Sequence, residues 1–445
     1  MIQRRTLLTS LPLAAAGATG LAACGSSGTG GGSGGASSPL TWMSVLHTPT
    51  TPAAGGTIEK ALAENTGIDV ELQWVPAESW GEKINAVLAS GEVADITTHG
   101  SWNTSSVRQD WLDRLGLEVP HTTAELEAVA KAFAEGDPTG TGAATTGFID
   151  REESFGVGFR SLTGYFGAGD RFELDSSGKI VPAATTEAFK EAMEWYRGIY
   201  EAGGINKEFI TTQKQNQQQA IAQDKGGLVV TGLFEAKNYV ALANEINAET
   251  EVQWTLINDI THEDVPRRIL SDTNGGMGAL FAFSTKSLTE EADVRRGLEL
   301  MNALCDEPNY QLMSNGVEGT HFDFTEDGAL EITDQALWEQ EVQPYNGSRP
   351  NYVVEIYKST DDYVNLANQM MKENEEFVVT NIAQQLTSPT YDRSWATIEQ
   401  ALSDTYSKVI MGQATMADYE ATIETVRGQG MDDIIAEYTE AHEAL

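Results

Sequence analysis

The sequence predicts a mixed α/β protein with two lobes and a helical C-terminal third. Up to about residue 283, apolar runs of strand length alternate with runs of helical periodicity, and from Pro308 onward helical periodicity dominates. The chain has 445 residues, which is enough for two or three domains with sizeable cores. Because this pattern does not suit a single compact sheet, we expect the chain to cross between two lobes.

The N-terminal elements alternate between strand and helix. The expected strands are Leu40–Leu46, Asp69–Val75 and Ala94–Thr98, and the expected helices between them are Thr57–Glu64 and Trp80–Ala89. This order predicts a mostly parallel sheet, in which ligands bind at the loops that follow the carboxyl ends of the strands.

The rest of the chain contains buried strands and longer helices. Thr122 and Glu125 have the spacing of a capping box, and Gly203 follows the amphipathic helix predicted at Glu187–Ala202. Further strands are expected at Gly227–Thr231, Val252–Ile257 and Gly278–Phe283, and further helices at Tyr363–Leu386, Ile398–Ile410 and Met416–Val426.

The N-terminal segment has the composition of an export and anchoring signal. Two arginines precede a short apolar run, and Leu21-Ala22-Ala23-Cys24 resembles the bacterial lipobox, so we expect a signal peptide over residues 1–23 and a lipidated Cys24. Residues 24–38 are almost all Gly and Ser, as in a flexible tether. The protein is thus expected outside the cytoplasm, lipid-anchored at the outer face of the bacterial cell membrane. An ordinary signal peptide with a chance cysteine is the alternative, and general secretory and twin-arginine export both stay open.

Charge and cysteine content restrict the possible partners. The net charge is −38, which argues against nucleic acid, because phosphate binding needs clustered Lys and Arg. An anionic membrane would also repel this chain, so acyl chains must provide the attachment. Once Cys24 is acylated, Cys305 has no disulfide partner, and its helical pattern predicts a small buried side chain.

Three segments resemble one protein family. Residues 111–142 begin with WLDRLGLEVP, continue with a helical segment from Thr123 to Phe133 and end with Asp137-Pro138-x-Gly140-x-Gly142. Residues 315–322 read NGVEGTHF, and residues 196–209 read YRGIYEAGGINKEF. All three resemble segments of the extracellular solute-binding lipoproteins of carbohydrate ABC importers (family 1 type), in a subgroup similar to the alginate-oligosaccharide-binding proteins.

The resemblance implies the type II periplasmic-binding-protein fold, in which two α/β lobes joined by a hinge close over a sugar. It implies an N-lobe of approximately residues 39–135 plus 270–325 and a C-lobe of approximately residues 136–269 plus 326–445. The implied partners are a carbohydrate, expected to be an oligosaccharide, and the membrane subunits of an ABC permease. The implied state is a monomer that uses no cofactor.

The chain departs from the family between its third strand and the motif RQDWLDRLGL at residues 108–117, which also resembles the family. Similar proteins have a substantial stretch there, whereas only residues 99–107 intervene in this chain, several dozen residues fewer. A natural loop contraction is one interpretation. We expect instead that part of the N-lobe is missing, because such a loss exceeds loop trimming and would expose a strand edge or an apolar face.

A second departure concerns calcium. In some relatives the segment aligned with residues 137–146 is a calcium loop, and calcium needs about six or more oxygen ligands, several of them charged. The aligned residues here are Asp137, Thr139, Thr141, Thr145 and Thr146, so one carboxylate remains. We therefore expect a degenerate loop without calcium, in which Asp137 caps the amides of residues 139 and 140.

Sugar recognition needs flat apolar faces together with planar polar groups. The aromatic candidates are Trp80 and Trp102, which follow predicted strands, and then Phe166 and Phe234. The hydrogen-bonding candidates are His47, His99, Asn274, Glu318 and His321, and Arg349 is the candidate partner of an acidic sugar. For each of them a structural role is the open alternative. Trp195, Trp254 and Trp395 are expected in the core.

No motif supports an enzyme. Matches to G-x-S-x-G and G-x-G-x-x-G lie in the Gly/Ser tether, without the strand and helix that such sites need. The six histidines form no zinc motif. We expect a binding protein without catalysis; the alternatives are a lipid-anchored glycoside hydrolase and a degenerate lipoprotein that does not serve transport.

Replacing Cys24 by Ala is expected to move the protein from the membrane to the soluble fraction, because the acyl chains are the expected attachment. Cell fractionation with immunoblotting measures this, and Cys305→Ala is the matched control that should stay with the membrane. A Cys24→Ala protein that remains membrane-bound would show that the anchor is something other than lipid on this cysteine.

Overall fold

Two four-stranded sheets organise the protein, whose architecture is seen in a computed structural model. The structure describes residues 39–46, 50–76, 83, 96–97, 104–270, 281–349 and 357–445. The predicted signal peptide, Cys24 and the tether lie outside these residues, as do most of the predicted helix Trp80–Ala89 and parts of the predicted strands Ala94–Thr98 and Gly278–Phe283. Within the described ranges we find no helix with the length and apolarity that a bilayer crossing requires.

The strands and helices of the described ranges are numbered in chain order. The strands are β1 (Leu40–Leu46), β2 (Val70–Pro76), β3 (Ile96–Thr97), β4 (Thr104–Arg108), β5 (Thr146–Phe148), β6 (Phe172–Leu174), β7 (Ile180–Pro182), β8 (Gly226–Thr231), β9 (Trp254–Ile257), β10 (Ile269–Leu270), β11 (Ala282–Phe283), β12 (Phe322–Phe324), β13 (Leu330–Ile332) and β14 (Val378–Val379). The helices are α1 (Thr57–Thr66), α2 (Gln109–Leu115), α3 (Thr123–Glu135), α4 (Gly158–Thr163), α5 (Glu187–Glu201), α6 (Lys214–Ala222), α7 (Glu235–Ile246), α8 (Glu291–Leu304), α9 (Glu307–Asn315), α10 (Gln335–Glu341), α11 (Gln343–Asn346), α12 (Asp362–Asn374), α13 (Pro389–Ile410), α14 (Met416–Val426) and α15 (Asp432–Glu443).

The first sheet has the strand order β11-β3-β1-β2. β1 runs parallel to β2, with Leu40 opposite Val70, and parallel to β3, with Trp42 opposite Ile96. The parallel arrangement of the three N-terminal strands is therefore as predicted. β11 joins the edge of β3 in the antiparallel direction. The core of this sheet includes Trp42 and Leu300, the latter contributed by α8.

The second sheet has the strand order β5-β8-β4-β9. β5 and β8 are parallel, whereas β4 is antiparallel to both β8 and β9. Every residue of β8 is buried, because one core cluster that includes Leu228 and another that includes Val229 cover its two faces. The capping box predicted at Thr122 and Glu125 is present at the start of α3.

Each sheet contains one antiparallel strand, and the chain supplies it where it passes from one sheet to the other. β4 joins the second sheet directly after β3 of the first, and β11 joins the first sheet after β10. In each sheet the strand that precedes the antiparallel strand in the chain therefore belongs to a different sheet. The two sheets are thus connected by more than one passage of the chain.

Arg108, the last residue of β4, anchors this strand. Its guanidinium is buried and donates to both carboxylate oxygens of Asp110 at 2.7 Å and to Asp224 Oδ1 at 2.6 Å. The guanidinium carbon also lies 4.8 Å from the ring centroid of Trp111. Burial opposes the charged form, but the two carboxylates outweigh it and raise the pKa of Arg108, so the side chain remains a cation. The motif that begins at Arg108 therefore fastens α2 to the second sheet.

Two segments pack against a different sheet from the one expected. The sequence places residues 39–135 in the N-lobe, whereas Val107, Trp111 and Phe133 lie in a core of the second sheet. It places residues 326–445 in the C-lobe, whereas Trp338 and Tyr345 lie in the core of the first sheet. The physical reason is that the chain passes between the two sheets, so that β4, α2 and α3 pack on the second sheet and α10 and α11 on the first. The order of elements along the chain does not reveal these passages.

Two C-terminal helices differ in extent from those predicted, one being shorter and one longer. The predicted helix Tyr363–Leu386 ends at Asn374, and the β-branched pair Val378–Val379 forms β14, parallel to β10. The predicted helix Ile398–Ile410 begins earlier, at Pro389, where Ser388 caps it by accepting the amide hydrogen of Tyr391 at 3.0 Å.

Cys305 is exposed just beyond the end of α8, so the prediction of a buried side chain is wrong. The buried face of this helix carries Leu300 and Leu304, and the helix ends before Cys305 reaches the core. Trp254 is buried as predicted, while Trp195 and Trp395 are half-buried against a core of the second sheet.

Candidate functional site

Polar side chains gather at the carboxyl edge of the second sheet, and we call them the polar cluster. Because β5 and β8 are parallel neighbours, the segments that follow them begin at the same edge of the sheet. The members are Arg151 and Glu153 after β5, Lys214 and Gln217 on α6, and Glu235, Lys237 and Asn238 on α7. The half-buried Phe234 immediately precedes α7 at the same edge.

Arg151 lies at the centre of the polar cluster. Its Nε is 2.6 Å from Glu153 Oε2, and its Nη1 donates to Gln217 Oε1 over 3.2 Å. The Gln217 amide is itself oriented, since its Nε2 donates to the carbonyl oxygen of Ile149 at 2.7 Å. The Arg151 side chain is 13% exposed, so part of a planar, pre-positioned guanidinium reaches solvent.

Glu235 occupies the first turn of α7, where the helix dipole favours a negative charge. It pairs with Lys214 Nζ at 3.3 Å and accepts a hydrogen bond from Asn238 Nδ2 at 3.1 Å. Burial opposes ionisation, but Lys214, Asn238 and the charge of Arg151 together lower the pKa of Glu235 below its ordinary value. The group is therefore a carboxylate at neutral pH.

Lys237 connects the polar cluster to the other core. Its Nζ lies 5.0 Å from the ring centroid of Trp338, which belongs to the core of the first sheet. Burial lowers the pKa of Lys237, and the charges of Asp361, Glu339 and Glu235 oppose that effect. This cation–π contact is thus a direct link between the elements of the two sheets.

The polar cluster is built for binding. A guanidinium, carboxylates and amides in fixed orientations match hydroxyl groups, and Phe234 adds an apolar surface. A glycoside hydrolase needs one carboxyl with a raised pKa as its acid, whereas the pKa of Glu235 is lowered and Glu153 is paired with Arg151. Among the described residues, no group of three or more His, Cys, Asp or Glu side chains is arranged to hold a metal ion.

Phe166, one of the predicted aromatic ligands of a sugar, is a core residue. It is 4% exposed, and its ring packs 4.1 Å from the ring of His262 and 5.3 Å from that of Trp195. No face of the ring is left for a sugar. The prediction is wrong because the 3₁₀ turn that carries Phe166 lies under the surface of the lobe, not at its edge.

His321 is also buried, with no exposed surface. Its Nδ1 accepts the amide hydrogen of Val317 at 3.0 Å, and its Nε2 lies 3.3 Å from Glu341 Oε2. Gly316 has a φ of +90°, and a Cβ at that position would lie 2.7 Å from the imidazole ring. The NGVEGTHF motif therefore folds a tight loop over a structural histidine, and His321 is not available to a ligand.

The other predicted ligand residues fall in three groups. Phe234 is half-buried and lies beside the polar cluster, immediately before α7. Glu318 is exposed on the loop over His321, and Arg349 donates from Nη1 to the hydroxyl of Tyr310 at 2.5 Å, so neither joins the polar cluster. His47, Trp80, His99, Trp102 and Asn274 lie outside the described residues, and their roles stay predictions.

Arg151, Gln217, Glu235 and Lys237 are not among the ligand residues predicted from the sequence. The strand before Arg151 has three residues, too short for a clear periodicity, and the Gln-rich segment of α6 reads as a solvent-exposed helix face. The available signal was the charged run Arg151-Glu152-Glu153, which follows the apolar Phe148-Ile149 directly.

The carboxylate of Asp150, beneath Arg151, holds this loop in place. Its Oδ1 accepts the amide hydrogen of Arg151 at 2.8 Å, and its Oδ2 accepts from Ser154 Oγ at 2.5 Å and Tyr196 Oη at 2.8 Å. Ser154 Oγ is also 2.8 Å from Tyr406 Oη. Burial raises the pKa of Asp150, and the donors oppose that shift. The backbone of Arg151 is thus tied to α5 and α13.

The residues aligned with a calcium loop do not fit the ion. The carboxylate of Asp137 accepts the amide hydrogens of Thr141 at 3.1 Å and Gly142 at 3.0 Å, so both of its oxygens already serve the turn. Thr145 and Thr146 donate their hydroxyls to carbonyl oxygens at 2.6 and 2.8 Å. Of the two expected caps, the amide of Gly140 does interact with Asp137 and helps to lower its pKa, whereas residue 139 contributes its hydroxyl, which donates to Oδ1 at 3.1 Å.

Comparison with known proteins identifies relatives. No protein-family model matches the chain. The chain is 27% identical over 462 residues to the polygalacturonan/rhamnogalacturonan-binding protein YtcQ of Bacillus subtilis (strain 168), covering 90% of this chain and 91% of that protein. It is 22% identical over 506 residues to lipoprotein LipO of the same organism, covering 100% and 99% of the two chains. It is 31% identical over 251 residues to the fructooligosaccharide ABC transporter substrate-binding protein FusA of Streptococcus pneumoniae serotype 4, covering 55% and 43%.

Solved structures share the fold over nearly the whole chain. FusA of S. pneumoniae, as an EF-hand mutant in complex with fructo-nystose, matches with a TM-score of 0.65 and 17% identity, covering 92% of this chain and 99% of that one. The alginate-binding protein AlgQ2 without calcium ion matches with a TM-score of 0.63 and 17% identity, covering 91% and 98%. The N-glycan transport solute-binding protein NgtS of S. pneumoniae matches with a TM-score of 0.63 and 13% identity, covering 91% and 99%.

The architecture is thus that of the periplasmic solute-binding proteins, and the fold predicted from the sequence motifs is confirmed. The homologues of this chain are carbohydrate-binding solute-binding proteins of ABC transporters, as the same motifs indicated. The alignment with LipO is 506 positions long against 445 residues in this chain, which leaves about 60 positions without a counterpart.

The residues of the degenerate loop predict that stability is independent of calcium. We expect millimolar calcium and a chelator to leave the melting temperature unchanged, since Asp137 offers the loop one carboxylate and both its oxygens already accept amide hydrogens. Differential scanning calorimetry with magnesium at equal ionic strength as the control measures this. A rise with calcium that magnesium does not reproduce would contradict the prediction.

Replacing Tyr196 by Phe is expected to lower the free energy of unfolding by about 1–3 kcal/mol, because the buried Asp150 carboxylate loses a donor. The raised pKa of Asp150 means that the folded state binds the carboxyl proton more tightly than the unfolded chain does. The contribution of Asp150 to stability is therefore greatest at low pH and is lost as pH rises through the folded pKa. The hydroxyl donors matter most for the charged form, so the loss should be larger at pH 7 than at pH 4.

Urea denaturation at both pH values measures this loss, with Tyr200→Phe as the control. Tyr200 is half-buried on the same helix, and its hydroxyl makes no hydrogen bond to any described residue. Equal losses for the two variants, or a loss at Tyr196 that does not depend on pH, would contradict the role of the Asp150 network.

Proposed function

We propose that this protein is the lipid-anchored substrate-binding component of an ABC importer, that it captures an oligosaccharide outside the cytoplasm, and that it delivers the sugar to the permease. The relatives and structural neighbours described above are named for polygalacturonan or rhamnogalacturonan, fructooligosaccharides, alginate and N-glycans. Their shared ligand chemistry is a chain of hydroxyl-bearing rings. This protein acts by binding and release, without a covalent step.

The observation that supports this function most directly is the polar cluster at the carboxyl edge of the second sheet. Arg151 and Glu235 are held in position by Glu153, Gln217, Lys214 and Asn238, so they are ordered before a ligand arrives. Charge-assisted hydrogen bonds from such groups to sugar hydroxyls need no rearrangement of the site. Phe234 beside them supplies an apolar face.

Capture works through closure of the two lobes. A ligand that contacts both lobes binds the closed state more tightly than the open one and shifts the equilibrium toward closure. The contact between Lys237 and Trp338 already joins elements of the two sheets at the edge of the polar cluster. The permease then recognises the closed state.

One rival is a lipoprotein that has lost transport, and the predicted shortening of the N-lobe would favour it. The first sheet has four strands in the described residues, and about 60 positions of the LipO alignment have no counterpart in this chain. A protein that has lost part of its ligand-binding lobe would keep the anchor and the fold but bind no sugar. A binding experiment separates the two functions.

A thermal-shift screen over pectic, alginate, fructo- and N-glycan oligosaccharides should find at least one sugar that raises the melting temperature, because a ligand of the folded state stabilises it. For that sugar, Arg151→Ala is expected to weaken binding by about 1–3 kcal/mol in calorimetry, the range of a central polar contact. Trp80→Ala and Trp102→Ala are expected to weaken it similarly.

Arg295→Ala is the matched control, because Arg295 pairs with Glu291 on the exposed side of α8, and its affinity should equal that of the wild type. Failure of every sugar to bind would favour the non-transporting lipoprotein. Turnover of the bound oligosaccharide would establish a glycoside hydrolase instead. Unchanged affinity in Arg151→Ala would remove the polar cluster from the binding site.

A further inference from the structure

Two cations of the polar cluster are already matched by carboxylates of the protein. Arg151 faces Glu153, with Nε 2.6 Å from Oε2, and Lys214 faces Glu235, with Nζ 3.3 Å from Oε1. Both carboxylates belong to the polar cluster itself. The charges of the guanidinium and of the ammonium group are therefore balanced before any ligand arrives.

The third cation, Lys237, is also near negative charge. It forms no ion pair with a described residue, but the carboxylates of Asp361, Glu339 and Glu235 oppose the lowering of its pKa by burial, which places them within electrostatic reach. With Glu153, these are four carboxylates against the three cations of the polar cluster. The net charge of the whole chain is −38. The polar cluster thus has no surplus positive charge to offer an anion.

The hydrogen-bonding groups that remain are both donors and acceptors. Of the N–H groups of Arg151, Nε faces Glu153 and Nη1 bonds to Gln217, so a guanidinium that reaches solvent keeps further donors. Glu153 is 54% exposed, so its carboxylate can accept further hydrogen bonds. A sugar hydroxyl donates and accepts, and can therefore bond to both side chains. An ionised carboxylate only accepts, so it would suit Arg151 but bring its charge beside Glu153.

We propose that the polar cluster selects uncharged oligosaccharides and rejects uronides, with Glu153 and Glu235 as the specificity-determining residues. This inference rests on the proposed sugar-binding function and narrows its substrate class. The two carboxylates accept hydrogen bonds from neutral hydroxyls, whereas they repel the carboxylate that each ring of a uronide carries.

The position of Arg349 agrees with this specificity. From the sequence it was the candidate partner of an acidic sugar, but its guanidinium lies against the ring and hydroxyl of Tyr310, outside the polar cluster. A preference for uncharged sugars would separate this chain from YtcQ, which is named for polygalacturonan.

Pairs of sugars that differ in charge test the proposal. The probes are trigalacturonate and its trimethyl ester, β-linked trimannuronate and mannotriose, and the neutral sugar kestose. Each is titrated into the full chain by calorimetry at low and at high salt. Within a pair the rings and linkages are the same, so a difference in affinity reports the effect of the carboxylates.

We expect the uncharged member of a pair to bind at least about tenfold more tightly than the acid, because like charges suppress the wrong ligand. High salt should narrow this difference, since it screens the repulsion. Glu153→Gln, which keeps an acceptor and loses the charge, should narrow it by about two- to fivefold, as for an exposed charge. Glu291→Gln on the exposed side of α8 is the matched control and should leave the difference unchanged.

An acid that binds as tightly as its neutral partner, or more tightly, would overturn the proposal, as would a difference that Glu153→Gln leaves unchanged. Binding of kestose that neither acid shows would support it. Failure of every sugar in this set and in the thermal-shift screen is a separate result, because it would remove the sugar-binding function on which the specificity rests.

Discussion

The buried ion pairs of Arg108 are the interaction on which the second sheet depends. This sheet is completed by β4, a strand that the chain supplies directly after leaving the first sheet, and β4 separates β8 from β9. Arg108 ends that strand and is held by Asp110, close in sequence, and Asp224, at the start of the chain into β8. A buried guanidinium is tolerated only with such complete pairing. β4 thereby joins β9 to β8, and β8 in turn pairs with β5, the strand that precedes Arg151.

Pairing of charges also explains how an acidic protein maintains cations at its candidate site. The chain has 28 Lys and Arg against 66 Asp and Glu, yet Arg151, Lys214 and Lys237 all lie in the polar cluster. Arg151 and Lys214 are each bound to a carboxylate, and Lys237 faces an aromatic ring. These contacts orient the groups and leave hydrogen-bonding capacity at fixed positions. Such an arrangement suits the hydroxyl groups of a neutral sugar, which a site binds by hydrogen bonds and not by net charge.

The first sheet retains a well-packed core despite its four strands. Trp42, Ile58 and Leu300 are almost completely buried, although they come from a strand and two helices far apart in the chain. The described part of this lobe therefore has a buried core, and a sugar-binding role is compatible with it.

The sequence by itself determined many of the local elements and the fold class. The strand Leu40–Leu46 and the capping box at Thr122 were predictable because alternation and capping are encoded within a few residues. The motifs at Arg108 and His321 indicated the fold for a physical reason: both residues are buried and hold loops and strands in place. Only the tertiary structure decided which sheet residues 105–133 join and that Arg151 and Glu235 share one edge, because strands that cross between the sheets bring together side chains that no local pattern relates.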